Sequence, residues 1–346
     1  HVCRAPASPA PGIAVCRGST VTPRVLDALV SAASGKATIA AYKTAWRAVR
    51  LAPAFLAYGF GDQAADLMWR RGGKGVARMR ANYARVRPEL SDAQLDRLVR
   101  AGLRSYLRYA IDSFRLPDRT ADELRATVRP RNDAAVRAHL ESGRAVVVFV
   151  GHMGNWDIAG AWSTQNLAPV TTVAERLKPE EVFREFFAFR ERLGMTILPL
   201  TGAGDPFAGL VAAVERGDFV ALAADRDLTR GGVEVDFFGR RARMAKGPAA
   251  LALRTGAALF AAEIHFEKAP AGEGMRGMGG YFMVVGFSDE IRPHAGEGLD
   301  PTLAVQAMTQ GCAAHLEAAI REHTEDWHMM QKVFVEDLDP SRDAAR

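Results

Sequence analysis

The chain has 346 residues, 48% hydrophobic and 25% charged. That is a globular composition with ample length for a large core, and it excludes a collagen-like or wholly disordered chain. The formal charge of +5 favours acidic partners such as nucleic acid, anionic lipid or a phosphate-bearing substrate, while three scattered cysteines exclude a disulfide framework or a cysteine zinc site.

Residues 1–22 are rich in Pro, Ala, Ser and Gly and lack the continuous apolar centre of a secretory signal. They are expected to be a disordered extension or a start-site remnant. No run in the chain reaches the roughly 18 uncharged apolar residues that span a bilayer. From about residue 25 to 116 the pattern is helical. Ile39, Tyr42, Trp46 and Val49 recur at steps of three and four and predict one apolar face, with Lys43, Arg47 and Arg50 beside it. Arg70, Arg71, Lys74, Arg78 and Arg80 continue the basic character. Two readings stand: a bundle helix with a solvated charged face, or a helix lying on an anionic membrane with its apolar face down.

From about residue 145 short apolar runs alternate with helical segments. The runs are 145–150, 170–174, 195–200, 219–224, 258–266 and 281–287, and helical patterns occupy 179–193, 206–216 and 301–323. This order predicts an α/β fold with a mostly parallel central sheet flanked by helices, its last strands pairing antiparallel after the Gly-rich loop 271–280.

The stretch FVGHMGNWDIAG follows the first run and leaves His152 two residues past a predicted strand end, where ligands of such sheets bind. His152 and Asp157 are five positions apart, about 140° on a regular helix, so they meet only if Gly151 and Gly154 turn the chain before the helix begins. Asn155 is the expected cap of that helix. A carboxylate on one imidazole nitrogen makes the other a base toward a hydroxyl. The plainer alternative is a core histidine with a capping aspartate. Glu175 ends the next strand, and Phe183, Phe186, Phe187 and Arg190 share a face of the following helix. Arg190 either takes Glu175 as its partner or reaches out to solvent. Asp225, Arg226 and Asp227 close the 219–224 run, so Asp225 competes with Asp157 for His152. Arg243 and Lys246 precede Gly247-Pro248 at a helix start, a place that holds phosphate.

No metal-ligand spacing, nucleophile elbow, Walker A loop, Rossmann glycine set or nucleic-acid motif accompanies these residues. Direct transfer with His152 as base is therefore favoured over a covalent Ser or Cys route, and the basic balance reads as affinity for lipid or phosphate rather than nucleic acid.

Taken together, GHMGNWD, TVAERLKPE, DRDLTRGGVEVDFFG and KGPAALALRTGAALF resemble the lipid A biosynthesis acyltransferase family, above all its actinobacterial branch acting on phosphatidylinositol mannosides. The resemblance spans about residues 38–334 and includes the closing Asp326-Trp327-His328. It implies a single acyltransferase domain over about 23–340, helical and membrane-facing to about 120 and α/β beyond, with an apolar acyl groove. It implies transfer of a fatty acyl group, typically palmitoyl, from acyl-CoA to a mannose hydroxyl, by a peripheral protein at the cytoplasmic face of the plasma membrane and with no bound cofactor. On the family pattern His152 is the base, and the family's aspartate, glutamate and arginine near the site fall on Asp157, Glu175 and Arg190. With the residues read above, Asp157 and Asp225 are the candidate catalytic carboxylates, and Glu175, Arg190, Arg226, Arg243 and Lys246 the candidate substrate-binding residues. Phe183, Phe186 and Phe187 are candidate groove walls. Asp225 stands where the mannoside branch carries a glutamate, one methylene longer, and Met153 where a serine is common, which is expected to alter the acceptor side. Two alternatives remain at this stage: another lipid acceptor, such as a lysophospholipid or lipid A precursor, and a non-catalytic lipid-binding protein of the same fold.

Overall fold

A computed structural model describes residues 44, 46–174, 180–200, 205–229, 231–270, 279–293 and 300–338. Among the described residues, 46–51 are helical, and three longer helices follow: α1 (Ala54–Arg71), α2 (Lys74–Val86) and α3 (Asp92–Arg115). Ser91 and Gln94 close a capping box at the start of α3, which fixes where this long helix begins. After a short 3-10 turn come α4 (Ala121–Thr127), β1 (Val128–Arg131), α5 (Ala134–Glu141), β2 (Val146–Val150), α6 (Trp156–Asn166), β3 (Val170–Ala174), α7 (Glu180–Arg192), β4 (Thr196–Pro199), α8 (Pro206–Glu215) and β5 (Phe219–Ala223). The chain then forms a β6–β7 hairpin (Val233–Phe237, Arg240–Met244), α9 (Gly247–Thr255), β8 (Ala258–Lys268), β9 (Tyr281–Phe287) and α10 (Pro301–Glu322).

Seven strands make one sheet in the order β1-β9-β8-β2-β5-β3-β4, and the hairpin is a separate two-stranded sheet. Every pairing in the large sheet is parallel except β8 with β9. The mostly parallel α/β sheet and the antiparallel end are thus as the apolar runs predict. Strand β2 lies between β5 and β8, and all five of its residues are buried. Alternation sends Val147 and Phe149 into one core and Val146, Val148 and Val150 into the other, so a strand covered on both faces reads as an unbroken apolar run.

Two elements lacked an apolar run. Strand β1 reads Val-Arg-Pro-Arg and pairs only with β9 at the sheet edge, the position that tolerates Pro130 without a backbone donor. The β6–β7 turn passes through Phe238 and Gly239, both at positive φ, 53° and 69°. Among the described residues no helix is long and apolar enough to cross a membrane.

Of the predicted N-terminal apolar face, Trp46 and Val49 lie among the described residues and both turn to the core, while Arg47 and Arg50 are exposed. Ile39, Tyr42 and Lys43 lie outside the described residues. Trp46 is buried: its indole N–H donates to the Phe114 carbonyl at 3.0 Å and its ring packs on Phe114 and Phe189. The exposed apolar side chains sit further on, at Leu51 (85% exposed), Phe55 (75%), Leu56, Phe60 (74%) and Leu67. Helix α1 is held to α3 by Asp66, which receives Arg100 and Arg104.

Candidate active site

Strands β2 and β5 run side by side in parallel, Val150 opposite Ala223, so their carboxyl ends deliver His152 and Asp225 to one place. The Ala224 N–H donates to the Val150 carbonyl at 3.0 Å and ties the two exits together. His152 is buried and Asp225 fully so. The His152 Nδ1 hydrogen-bonds Asp225 Oδ1. Asp225 Oδ2 accepts the His152 backbone N–H at 2.9 Å and the Trp327 indole N–H at 3.0 Å. Burial pushes the Asp225 pKa up, but the His152 ring and these donors outweigh it, and the carboxyl lies below its ordinary range. An ionised carboxylate only accepts, so in the neutral imidazole the proton is on Nδ1 and Nε2 carries the lone pair. The shorter aspartate reaches the imidazole.

Asp157 has other partners. Its Oδ1 accepts the Arg190 Nε–H at 2.7 Å, and its Oδ2 receives Ser113 at 3.1 Å and Tyr109 at 3.4 Å. Arg190, on α7, therefore pairs with Asp157, on α6. Glu175, its other candidate partner, lies outside the described residues. Asn155 caps α6, its Oδ1 accepting from the Asp157 and Ile158 amides, both at 3.1 Å. Gly154 sits at φ 58°, and a Cβ there would collide with the Ile264 carbonyl; only glycine lets the turn pass β8.

Under α6 lies a cavity of about 110 Å³. His152, Asp157 and Arg190 stand at one end of its wall. The rest is mostly small or apolar: Ala159 and Gly160 from α6, Val148 and Val150 from β2, Ala221 and Ala223 from β5, Ala262 from β8. Phe219 and Phe287 also line it, edge to face at 6.4 Å. From Ala223 to Phe219 the strand advances about 13 Å. Phe187, a predicted groove wall, is half-buried and packs on the core cluster that also holds Val148, Val150, Phe219 and Phe287. The small side chains among the lining leave the space open, since bulkier ones at the same places would fill it. The side chains of Phe183 and Phe186 lie outside the described residues. Met153, expected on the acceptor side, is fully buried in the core on the opposite face of the sheet.

The cationic candidates gather after β5 and β7. Arg226 and Arg243 are buried, and the Ala245 N–H donates to the Ala224 carbonyl at 2.9 Å, placing the start of α9 beside the end of β5. Arg243 reaches the Thr229 carbonyl at 3.3 Å and Glu234 at 3.4 Å. Lys246 is the residue before the first turn of α9. Asp227 is taken locally, accepting the Thr229 amide at 2.7 Å.

Sequence reasoning missed the strap formed by residues 326–328. Gly154 N–H donates to the Asp326 carbonyl at 2.9 Å, and His328 N–H donates to the His152 carbonyl at 2.8 Å. The Ser105 hydroxyl of α3 bridges the Asp326 carboxyl and His328 Nε2, the latter at 2.9 Å. Burial raises the Asp326 pKa to about 7; burial, with repulsion from the His152 ring when both rings are protonated, lowers that of His328 to about 3. The signal in the sequence was the Asp-Trp-His triplet, visible only as part of a resemblance.

Residues 31–336 match the family model described as bacterial lipid A biosynthesis acyltransferase. A protein of Mycolicibacterium smegmatis named phosphatidylinositol mannoside acyltransferase is 40% identical over 311 residues, covering 90% of this chain and 95% of that one. Proteins of the same name from two strains of Mycobacterium tuberculosis are 39% identical, over 91% of this chain and 94% of theirs.

Proposed function

Because the chain belongs to the bacterial lipid A biosynthesis acyltransferase family, we propose that it moves a fatty acyl group, palmitoyl among them, from acyl-CoA to a mannose hydroxyl of a phosphatidylinositol mannoside. The observation that carries this reading is the His152–Asp225 pair at the end of an apolar cavity. A sugar hydroxyl is a poor nucleophile at neutral pH and needs a base, whereas a thioester is already activated, so the transfer requires no cofactor. His152 Nε2 takes the hydroxyl proton as the oxygen attacks the thioester carbonyl. The tetrahedral oxyanion forms beside the amino end of α6, where helix amides and dipole favour negative charge. It collapses with loss of the C–S bond, and the imidazolium returns its proton to the departing thiolate. The ester and free coenzyme A leave, and His152 is restored.

The cavity under α6 suits the acyl chain, each buried methylene contributing about 0.8 kcal/mol. Arg226, Arg243 and Lys246, near the β5 exit, suit the phosphates of coenzyme A or of the acceptor. The exposed Leu51, Phe55, Leu56, Phe60 and Leu67, with Arg70, Arg71 and Lys74 at the end of the same helical stretch, suit a peripheral seat on anionic lipid. An acyl-CoA donor suits a seat at the cytoplasmic face of the plasma membrane.

The test is mass spectrometry of products after incubation with palmitoyl-CoA and a panel of phosphatidylinositol mannosides, lysophospholipids and lipid A precursors. One added acyl chain on a mannoside, absent with His152→Ala, is the expected result. Acylation of another lipid alone would replace the acceptor, and no acyl product on any lipid would remove the catalytic reading.

A further inference from the structure

We infer that Trp327 is a positioning residue for the base: its indole N–H locks the Asp225 carboxylate while its backbone stretch clamps the loop that carries His152. The inference rests on the reading of His152 as base.

Asp225 Oδ2 takes two donors, the His152 amide at 2.9 Å and the Trp327 indole at 3.0 Å, so that Oδ1 is left for the imidazole. One donor comes from the same loop as the base; only the indole anchors the carboxylate to a different element. A carboxylate with one free rotation and a single anchor turns about that anchor, and a second anchor at an angle stops it.

Trp327 is itself immobilised. It is fully buried, its carbonyl accepts the Tyr83 hydroxyl at 2.9 Å, and its ring sits 6.0 Å from Phe237 and 6.2 Å from Phe238. Its neighbours complete the clamp: Met153 forms an isolated bridge with Trp327, Gly154 bonds Asp326 and His152 bonds His328. Asn82 of α2 holds the following turn through the Met329 and Gln331 carbonyls, each at 2.9 Å. Three residues thus fix both partners of the dyad, one through the loop backbone and one through a side chain.

A buried tryptophan also packs, and packing alone would account for its burial but not for its indole N–H facing a buried carboxylate. The two roles separate by experiment. Trp327→Phe keeps an aromatic ring and removes the donor; benzothienylalanine at the same position keeps the two-ring shape and puts sulfur in place of N–H. Losing the donor leaves Asp225 more negative toward its other partner, which favours the imidazolium and raises the His152 pKa. NMR titration of labelled histidine reads this without any assay of activity. Both variants are expected to move the His152 titration up by roughly half a pH unit. Acyl transfer should fall about tenfold in kcat with the donor KM little changed. Phe334→Leu, a core change of the same region with no contact to Asp225, should leave the titration in place. If the benzothienyl protein titrates at His152 as wild type does, or lower, Trp327 only packs and the inference is wrong. If the titration moves but no lipid is acylated by wild type, the indole's hold on the His152–Asp225 pair stands, while the reading of that pair as an acyl-transfer base falls.

Discussion

The two ends of the central sheet carry different kinds of concavity. At the amino ends of β2 and β8 lies the larger one, about 510 Å³, bordered by Arg144, Glu215, Arg254 and the turn before β8. Its arginines have ordinary partners: Arg144 donates to the Gly256 carbonyl at 3.0 Å and Arg254 lies 5.6 Å over the Phe207 ring. The cavity that runs from the carboxyl ends back along β5 is about 110 Å³, yet His152, Asp157 and Arg190 line it and Asp225 stands behind His152. Volume does not mark the site; charge withdrawn from water does, because burying ionised groups is costly unless something holds them in place.

The comparison breaks most sharply at His152. His152→Ala should lower kcat by about 10²–10⁴-fold in an acyl-transfer assay, the usual contribution of a general base, while Arg254→Ala at the far end should leave activity within about twofold. Next in size is the Arg190–Asp157 pair. Leaving one buried partner alone costs about 3–5 kcal/mol, so Arg190→Met should lower the midpoint of urea unfolding markedly, and Asp157→Asn should do so less, since an amide still accepts from Arg190. A smaller effect is expected within the cavity. Ala221→Leu narrows the apolar space, and the preference among acyl-CoA donors, read as kcat/KM, should shift toward shorter chains by about fourfold per excluded methylene.

The smallest predicted effect concerns pH. Burial raises the carboxyls of Asp112 and Asp326 to about 7. The native chain therefore binds more protons than the unfolded one between about pH 4 and 7, and these two groups make stability fall as pH rises through that window. His328 works oppositely: its ring is held near 3, so below about pH 6.5 the unfolded chain takes a proton the native ring refuses. Asp326→Asn retains partners for Ser105 and the Phe266 amide and removes one acidic group. Its Tm relative to wild type should be higher at pH 8 than at pH 6; an equal difference at both would show that Asp326 is ionised throughout.

Much of the catalytic end was legible in the sequence, for a local reason. A strand buried on both faces must be an apolar run, and a histidine two residues past it must sit at the sheet mouth, so His152 was placed by β2 alone. Asp225 was visible as a rival because β5 repeats the same design. The choice between Asp157 and Asp225 was not legible: it depends on β2 and β5 being neighbours, and on Arg190, Ser113 and Tyr109 arriving from α7 and α3 to occupy Asp157. The N-terminal stripe was legible as a stripe but not as to what covers it: helical spacing places Trp46 on an apolar face without revealing that Phe114 and Phe189 lie over it. Trp327 was illegible as a functional group because a tryptophan near a chain end looks like core until its N–H finds an acid.

The central claim is that Asp225, and not Asp157, serves the base. Acyl transfer by Asp225→Asn and by Asp157→Asn, each at a temperature where circular dichroism shows it folded, tests this directly. An amide at position 225 presents N–H to the ring, which drives the imidazole proton onto Nε2 and removes the lone pair that takes the hydroxyl proton. Asp225→Asn should lose at least about a hundredfold in kcat, with Asp157→Asn retaining most of its turnover. The reverse ranking would contradict the account.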